Sequence, residues 1–363
     1  MGRLYRIFCY RPPVIRTEIA RARVRTLETP LKRPFVTALG RRTRTVNVGI
    51  TLNLKGGAEG YGEASTSLAM KNLSPAVLRR ALERLCARVL GRDARDWRRL
   101  VDDAWARTAD PAPAVAAFEA ALLGALTTEG GTTLASWFGG AKERLETDLT
   151  LSAWDDPIMT EEAAAEAAKD GFKALKIKVG RGLSGDLERV RAARRGAPRA
   201  RLLLDGNQGL TPRGALELLA SVQKEGAVVD LLEQPVSKDD LKGMAFVTRR
   251  AGVPVAADES IATPEQAARV LASGAASAVN IKLAKSGLSR GLEIAAVARA
   301  AGVPLMIGCM AETARGLAPS VHFALGTGFF RFVDLDSDVL LAQTAPPGRG
   351  AGWRRRGPAI FLA

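Results

Sequence analysis

The sequence predicts an α/β fold: a modified TIM barrel of eight strands and seven intervening helices, (β/α)7β, behind an N-terminal α+β domain. Three observations predict it. Lys178, Asp205, Glu233, Asp258 and Lys282 each end a short apolar run, and they recur every 24 to 28 residues. That interval fits one strand plus one helix, and a barrel of such units brings strand-end residues to a common face. From Asp148 onward strand-like and helix-like segments alternate, which implies parallel strands with right-handed crossovers. Before residue 130 the order is strands first and helices afterwards, the pattern of an α+β unit.

Taken along the chain, residues 1–16 read as a loose basic extension, whose apolar stretch is too short and interrupted for a signal-peptide core. Residues 17–130 form the α+β domain. Thr45–Leu54 (TVNVGITLNL) alternates in strand fashion, Gly56-Gly57 marks a hairpin turn, and the segment Gly60–Ala64 (GYGEA) follows. Ser74-Pro75 is an N-cap and first-turn pair ahead of VLRRALERLCARVLG, and an Ala- and Leu-rich helix runs from Ala112 to about Glu129.

Residues 131–340 form the barrel. Its strands are TLSAW, ALKIKV, RLLLD, VVDLLEQP, PVAAD, AVNIKL, PLMIGC and RFVDLDSD. Helices are expected to start at Thr160, near Gly185, at Thr211-Pro212, near Lys238, at the capping box Thr263-Pro264-Glu265-Gln266 and at Ser289, and a seventh contains His322. Residues 341–363, with Pro346, Pro347 and several glycines, are expected to pack back on the N-terminal domain.

Composition removes several functional classes. The net charge of +15 raises nucleic-acid binding, but there is no basic helix with interleaved aromatics and no zinc-finger spacing. Aromatics are 5% of the chain, too few for a base-stacking platform. No apolar run approaches the ~18 residues a membrane helix needs. Cys9, Cys86 and Cys309 are odd in number and far apart, which argues against a disulfide framework and for a reducing cytoplasm.

Asp205, Glu233 and Asp258 fall at strand ends, where converging carboxylates repel unless a cation holds them. Oxygen-only ligands favour a hard metal such as Mg²⁺. The alternative is that each acid caps a helix or pairs with an arginine. Lys178 and Lys282 flank the acids. A lysine beside a divalent cation and a second lysine has a lowered pKa and can act as a base near neutral pH. One base on each face of a carbanion next to a carboxylate permits inversion, with the metal stabilising the enediolate. Lys176, two residues before Lys178, shares its face and suits charge stabilisation at the substrate carboxylate. The alternative for the lysines is snorkelling at the surface. Asp334 and Asp336 alternate onto one face of the last strand and suit an ammonium group, or else form a solvated acidic turn. The sole histidine, His322, lies in a helix pattern away from the strand ends and reads as structural.

These residues resemble the enolase superfamily, in particular its muconate-lactonizing subgroup. Lys176-Ile177-Lys178, DGNQG from Asp205, EQP from Glu233, ADES around Asp258 and Asn280-Ile281-Lys282 occur in that order, and the likeness spans roughly residues 25–345. A histidine base of the mandelate-racemase type has no counterpart. Within the subgroup the chain is similar to dipeptide epimerases of the L-Ala-D/L-Glu type, through LETDLTLS around Thr150, EQPVSKDDL and Asp334-Leu335-Asp336. The resemblance implies Asp205, Glu233 and Asp258 as ligands of one Mg²⁺ per subunit, with Lys178 and Lys282 as the acid/base pair. It implies Lys176, Thr150, Cys309, Ala311, Asp334 and Asp336 as substrate contacts, and a capping domain whose loops near residues 33–44 and 64–68 close the barrel mouth.

The expected activity is Mg²⁺-dependent epimerisation of the C-terminal residue of a dipeptide. N-acylamino acid racemase, o-succinylbenzoate synthase and muconate cycloisomerase activities are the alternatives, and a non-catalytic nucleic-acid-binding protein is the remote one. A homo-oligomer with a small-molecule substrate and neither nucleic-acid nor membrane partners completes the expectation. One departure stands out: Glu-preferring members carry an arginine after a PFKTAL-like segment, where this chain has PFVTAL and then Gly40, followed by Arg41 and Arg42.

Overall fold

The computed structural model describes residues 16–70, 73–107, 109–342 and 351–363. The basic extension thus falls outside the described residues except for Arg16, as do residues 343–350 of the tail.

Three antiparallel strands come first, β1 (Ile19–Thr37), β2 (Gly40–Leu54) and β3 (Glu59–Ala64), in that sheet order. The alternation at Thr45–Leu54 lies in β2 and buries Val48, Ile50 and Leu52 completely, although the strand begins earlier, at Gly40. Helices α1 (Pro75–Val89), α2 (Trp97–Trp105) and α3 (Ala112–Glu129) share a core with this sheet. The Ser74 hydroxyl accepts the Val77 N–H at 3.3 Å, capping α1 as the Ser-Pro pair predicts. Helix α3 is apolar nearly all round because β3 packs on one side of it and the barrel on the other. The contact with β3 needs glycine: a Cβ at Gly60 would lie 1.9 Å from the Ala121 carbonyl oxygen, and one at Gly62 1.9 Å from that of Ala117.

After a short helix α4 (Leu134–Trp137) and strand β4 (Arg144–Glu146) comes the barrel. Its strands are β5 (Leu149–Leu151), β6 (Ala174–Lys178), β7 (Arg201–Asp205), β8 (Val229–Glu233), β9 (Val255–Ala257), β10 (Ala278–Lys282), β11 (Leu305–Gly308) and β12 (Phe330–Asp334), paired in sequence order and parallel throughout. Between them run α5 (Pro157–Lys169), α6 (Leu183–Gly196), α7 (Pro212–Lys224), α8 (Leu241–Thr248), α9 (Pro264–Ala272), α10 (Leu283–Ala300) and α11 (Ala314–Thr327), with α12 (Ser337–Leu340) after β12. This is the predicted (β/α)7β order. The ring closes between its first and last strands, where the Asp148 N–H donates to the Val333 carbonyl at 2.9 Å and the Leu335 N–H to Thr147 Oγ1 at 2.8 Å.

Most helix starts follow their caps. Thr211, Thr263 and Asp240 each accept a first-turn N–H, and Thr263 with Gln266 forms the predicted capping box. Helix α5 starts at Pro157 instead of Thr160, because Asp156 caps it and Pro157 suits its first position. Helix α10 departs further from expectation. The chain turns helical directly after Lys282, breaks at Gly287 (φ 69°, ψ −175°) and resumes. At the break the buried Glu119 carboxylate of α3 accepts the Leu288 N–H at 2.9 Å and the Ser289 N–H at 2.8 Å. The resumed helix is therefore capped from the N-terminal domain. A side chain at residue 287 would collide with Glu119.

The tail corrects an expectation. Leu341 bridges Leu31, and the Ala342 N–H donates to the Pro30 carbonyl at 2.8 Å, so the start of the segment touches the N-terminal domain. Strands β13 (Trp353–Arg356) and β14 (Ala359–Leu362) instead add to β4 in the order β13-β14-β4. Fully buried Trp353 donates its indole N–H to the Ala314 carbonyl of α11 at 2.9 Å, and Arg355 pairs with Asp338 at 2.6 Å. The edge of β4 offers unpaired backbone groups, and the apolar side chains of the tail strands require cover on that side. No helix among the described residues is long and apolar enough to cross a membrane.

Candidate active site

Strand alternation divides the barrel interior into tiers. The lower tier is an apolar cluster of Leu203, Leu231, Ala256, Ala278, Met306 and Phe332. Two residues further along the same strands stand Asp205, Glu233, Asp258, Asn280, Gly308 and Asp334, since side chains on one face of a strand recur with period two. The change from apolar to polar within each strand places ionisable groups at the C-terminal ends of a rigid, close-packed scaffold.

A cavity of about 470 Å³ opens above this tier, between the barrel and the N-terminal domain. That size suits a small organic ligand. Lys178 and Lys282 both line it. They end β6 and β10, four strands apart in a ring of eight, and so face each other across the cavity.

Below the lysines the acids are held by amines. Lys178 Nζ lies 2.6 Å from Asp205, and Lys282 Nζ 2.8 Å from Asp258. Lys285 also reaches Asp258, at 2.5 Å. Lys176 does not line the cavity. It is fully buried beneath it, 3.1 Å from Asp205, 2.6 Å from Glu233 and 2.7 Å from Asp334. In this structure its amine is held by these three acids. Its reach is used up joining the three-acid group to Asp334.

The electrostatics follow from this pairing. Burial raises the Asp205 carboxyl, but Lys178 and Lys176 outweigh it and bring the pKa down to about 2. Asp258 is likewise held far below the usual range, against burial, by Lys282 and Lys285. Glu233 is raised, first by burial and then by Asp205. Lys282 is pulled down by burial, yet Asp258 and Glu233 raise it overall.

Asp205, Glu233 and Asp258 form an all-oxygen donor set that fits a hard divalent cation. Asn280 Nδ2 orients Glu233 Oε1 at 2.8 Å. The Asn280 and Asn207 side-chain oxygens are buried without hydrogen-bond partners beside these acids, which adds acceptor character to the same floor. Among the described residues, however, the acids whose oxygens all fall within 4.8 Å of one another are Asp148, Asp334 and Asp336.

That second cluster occupies the seam between β5 and β12. Asp334 ends β12, while Asp336 lies beyond the strand at the N-terminus of α12, not on the strand as alternation predicted. Both still line the cavity. Asp336 Oδ2 accepts the Thr150 N–H at 2.6 Å, and Thr150 Oγ1 donates to Asp334 at 3.3 Å. Burial and Asp334 raise the Asp336 carboxyl to about 6. Cys309 lines the wall with its Sγ 3.9 Å from Asp336. Ala311 contributes its backbone: its carbonyl accepts Asn47 Nδ2 of β2 at 2.7 Å.

Glu63, from the GYGEA segment, fastens this loop to the N-terminal domain. Its Oε1 accepts Asn47 Nδ2 at 2.6 Å and the Thr313 N–H at 3.0 Å, and its Oε2 accepts the hydroxyls of Tyr61 and Thr313. The β1–β2 hairpin settles the arginine register. Thr37 pairs with Gly40 and Phe35 with Arg42. Phe35, Gly40 and Arg42 therefore share the inner face, where Phe35 and Arg42 line the cavity, whereas Arg41 is exposed. Arg42 is half-buried and donates to the Thr66 carbonyl at 3.0 Å.

Four contributors escaped the sequence reading. Lys285 lies three residues past Lys282, a helical spacing that only the early start of α10 brings into play. Asp148 stood in LETDLTLS without an assigned role. Glu119 was a lone acid in an apolar helix, and such an acid needs a buried partner. Glu63 followed a glycine pair at a domain contact.

The chain is similar to known proteins over most of its length. The enolase C-terminal domain-like family matches residues 159–348. A Herpetosiphon aurantiacus protein named aromatic dipeptide epimerase is 37% identical over 348 residues, covering 96% of this chain and 97% of its own. The substrate-liganded L-Ala-D/L-Glu epimerase structure from Bacillus subtilis superposes with a TM-score of 0.89 at 33% identity, covering 95% of this chain and 96% of that one. A dipeptide epimerase structure from Enterococcus faecalis, complexed with Mg and L-Leu-L-Tyr, gives 0.88 at 28% identity over 95% and 97%. With the barrel order, the facing lysines and the strand-end acids, these likenesses show that the chain belongs to the enolase superfamily and is an isomerase of the racemase and epimerase type.

Proposed function

We propose that this enzyme is a dipeptide epimerase that inverts the α-carbon of the C-terminal residue by two-base proton transfer. The observation that carries the reading is the pairing, in one cavity, of two lysines on opposite walls with a carboxylate pair at the β5–β12 seam. Lys178 removes the α-proton from one face and Lys282 delivers a proton to the other; the roles exchange in the reverse direction. Asp334 and Asp336 receive the free ammonium group through charge-assisted hydrogen bonds. Thr150 and Lys176 hold these two acids in place, which limits the reorganisation needed on binding. Mg²⁺ held by Asp205, Glu233 and Asp258 would draw these carboxylates away from the lysines and stabilise negative charge on the substrate carboxylate.

The inverted residue's side chain would project toward the N-terminal domain, where Leu31, Phe35, Leu39, Leu68 and Met70 make the wall largely apolar. A bulky apolar side chain suits this wall. Arg42 supports a second reading, an acidic side chain, because its guanidinium faces the cavity with a carbonyl as its hydrogen-bond partner.

The test is incubation of L-Ala-L-Phe, L-Ala-L-Tyr and L-Ala-L-Glu in D₂O with Mg²⁺, followed by mass spectrometry. One α-deuterium in both epimers of the aromatic dipeptides, with slower exchange of L-Ala-L-Glu, is expected. Preference for L-Ala-L-Glu that Arg42→Ala abolishes would install the acidic reading. Exchange of N-acyl amino acids with none of any dipeptide would overturn the ammonium-binding reading in favour of N-acylamino acid racemisation.

A further inference from the structure

Asp148 is an acid for which the proposed reaction has no use. It precedes β5 and is 3% exposed, and both of its carboxylate oxygens are buried without a hydrogen-bond partner. Its oxygens nonetheless approach those of Asp334 and Asp336 to within 4.8 Å. Two buried carboxylates facing each other repel unless a proton or a cation stands between them, and only a protonated one can donate to the other.

The surroundings supply little relief. On the cavity side the charges are Asp334, Asp336 and Lys176. The Lys176 amine is already within 3.1 Å of each of Asp205, Glu233 and Asp334. On the opposite side, a recess at the lower barrel end carries Glu146, Lys173, Arg201, Asp230 and Arg331. Lys173 pairs with Glu146 at 3.1 Å and Arg201 with Asp230 at 2.9 Å, and these side chains are partly or largely exposed. None of these groups donates to Asp148.

We infer that Asp148 is a neutral carboxylic acid whose O–H donates to Asp334, making it a positioning residue that holds the Asp334–Asp336 pair open toward an ammonium group. The proton turns an acid–acid repulsion into a hydrogen bond and leaves the two remaining carboxylates to the ligand. Burial, with Asp334 and Asp336 adding to it, pushes the Asp148 carboxyl well above the usual range, in keeping with this assignment. The inference about the proton stands on the cluster itself; the ammonium clause rests on the proposed dipeptide reading.

The experiment has two arms. Infrared difference spectra of ¹³C-aspartate-labelled enzyme at neutral pH, wild type minus Asp148→Asn, should show the carbonyl stretch of a protonated carboxylic acid, independent of any activity. No such band would overturn the proton assignment. If the resting spectrum lacks it and the carboxylate bands respond to Na⁺ or K⁺, a bound cation replaces the proton.

In the second arm, Asp148→Ala should raise KM for a free dipeptide on the order of 10-fold or more with a smaller change in kcat. Asp148→Asn, which keeps a donor, should recover most of that loss. Equal loss of kcat and KM in both variants would overturn the positioning role. A protonated acid in the first arm, combined with wild-type activity only on N-acylated substrates, would leave the proton in place and remove the dipeptide reading instead.

Discussion

The two tiers of the barrel interior come from the same strands, two residues apart, and they do opposite things. The lower tier, Leu203, Leu231, Ala256, Ala278, Met306 and Phe332, is apolar and sealed. The upper tier packs acids against lysines at 2.6 to 3.1 Å in nearly complete burial. Burying an apolar side chain stabilises the fold by about 1.5–3 kcal/mol. A buried ion pair, by contrast, roughly offsets its own desolvation. The comparison teaches that this barrel draws stability from its floor and spends structural precision, with little net stabilisation, on its mouth.

The largest expected effect comes from the upper tier. Lys282→Ala should lower kcat by about 10²- to 10⁴-fold. It should leave the thermal midpoint within a few degrees of wild type, because Lys285 still holds Asp258 at 2.5 Å. Deuterium exchange and calorimetry on the same sample check both halves. A loss of stability as great as that of a floor mutation would break the distinction between tiers.

The floor should behave in reverse. Leu231→Ala, at a fully buried position, should cost about 2–5 kcal/mol in urea unfolding, while kcat/KM of the folded fraction changes little. A catalytic defect without a stability defect would show that the tiers are coupled more tightly than their chemistry suggests.

The smallest effect sharpens the boundary between them. Asp148 has a carboxyl raised well above the usual range by burial and then by Asp334. Between its unfolded value of about 3.9 and its folded value the native state binds more protons, so this group's contribution to stability falls as pH rises through that window. Asp148→Asn removes the titration, so the variant should lose less stability than wild type from pH 4 upward. Unfolding curves at stepped pH measure the difference, and parallel profiles would count against a protonated Asp148.

Much of this was legible in sequence, for a physical reason. Strand ends recur at the length of a βα unit, so Lys178, Asp205, Glu233, Asp258 and Lys282 could be assigned to one face from spacing alone. What failed depended on partners distant in the chain. The break in α10 at Gly287 relies on Glu119 from another domain to cap the helix where it resumes at Leu288. The tail strands needed the edge of β4, more than 200 residues earlier. Asp336 kept its place in the cavity through the Thr150 N–H, although it lies off the strand.

The sequence by itself determined the order of strands and helices, the face on which the ionisable residues emerge and the two lysines that oppose each other. These follow from period, spacing and chain order, which are local properties. Only the tertiary structure decided that Lys176 lies beneath the cavity, that Arg42 and not Arg41 faces it, and that Asp148 meets Asp334 and Asp336 without a partner of its own. Those outcomes depend on which side chains share one small, desolvated volume, and in such a volume the charge of each group is set by all the others.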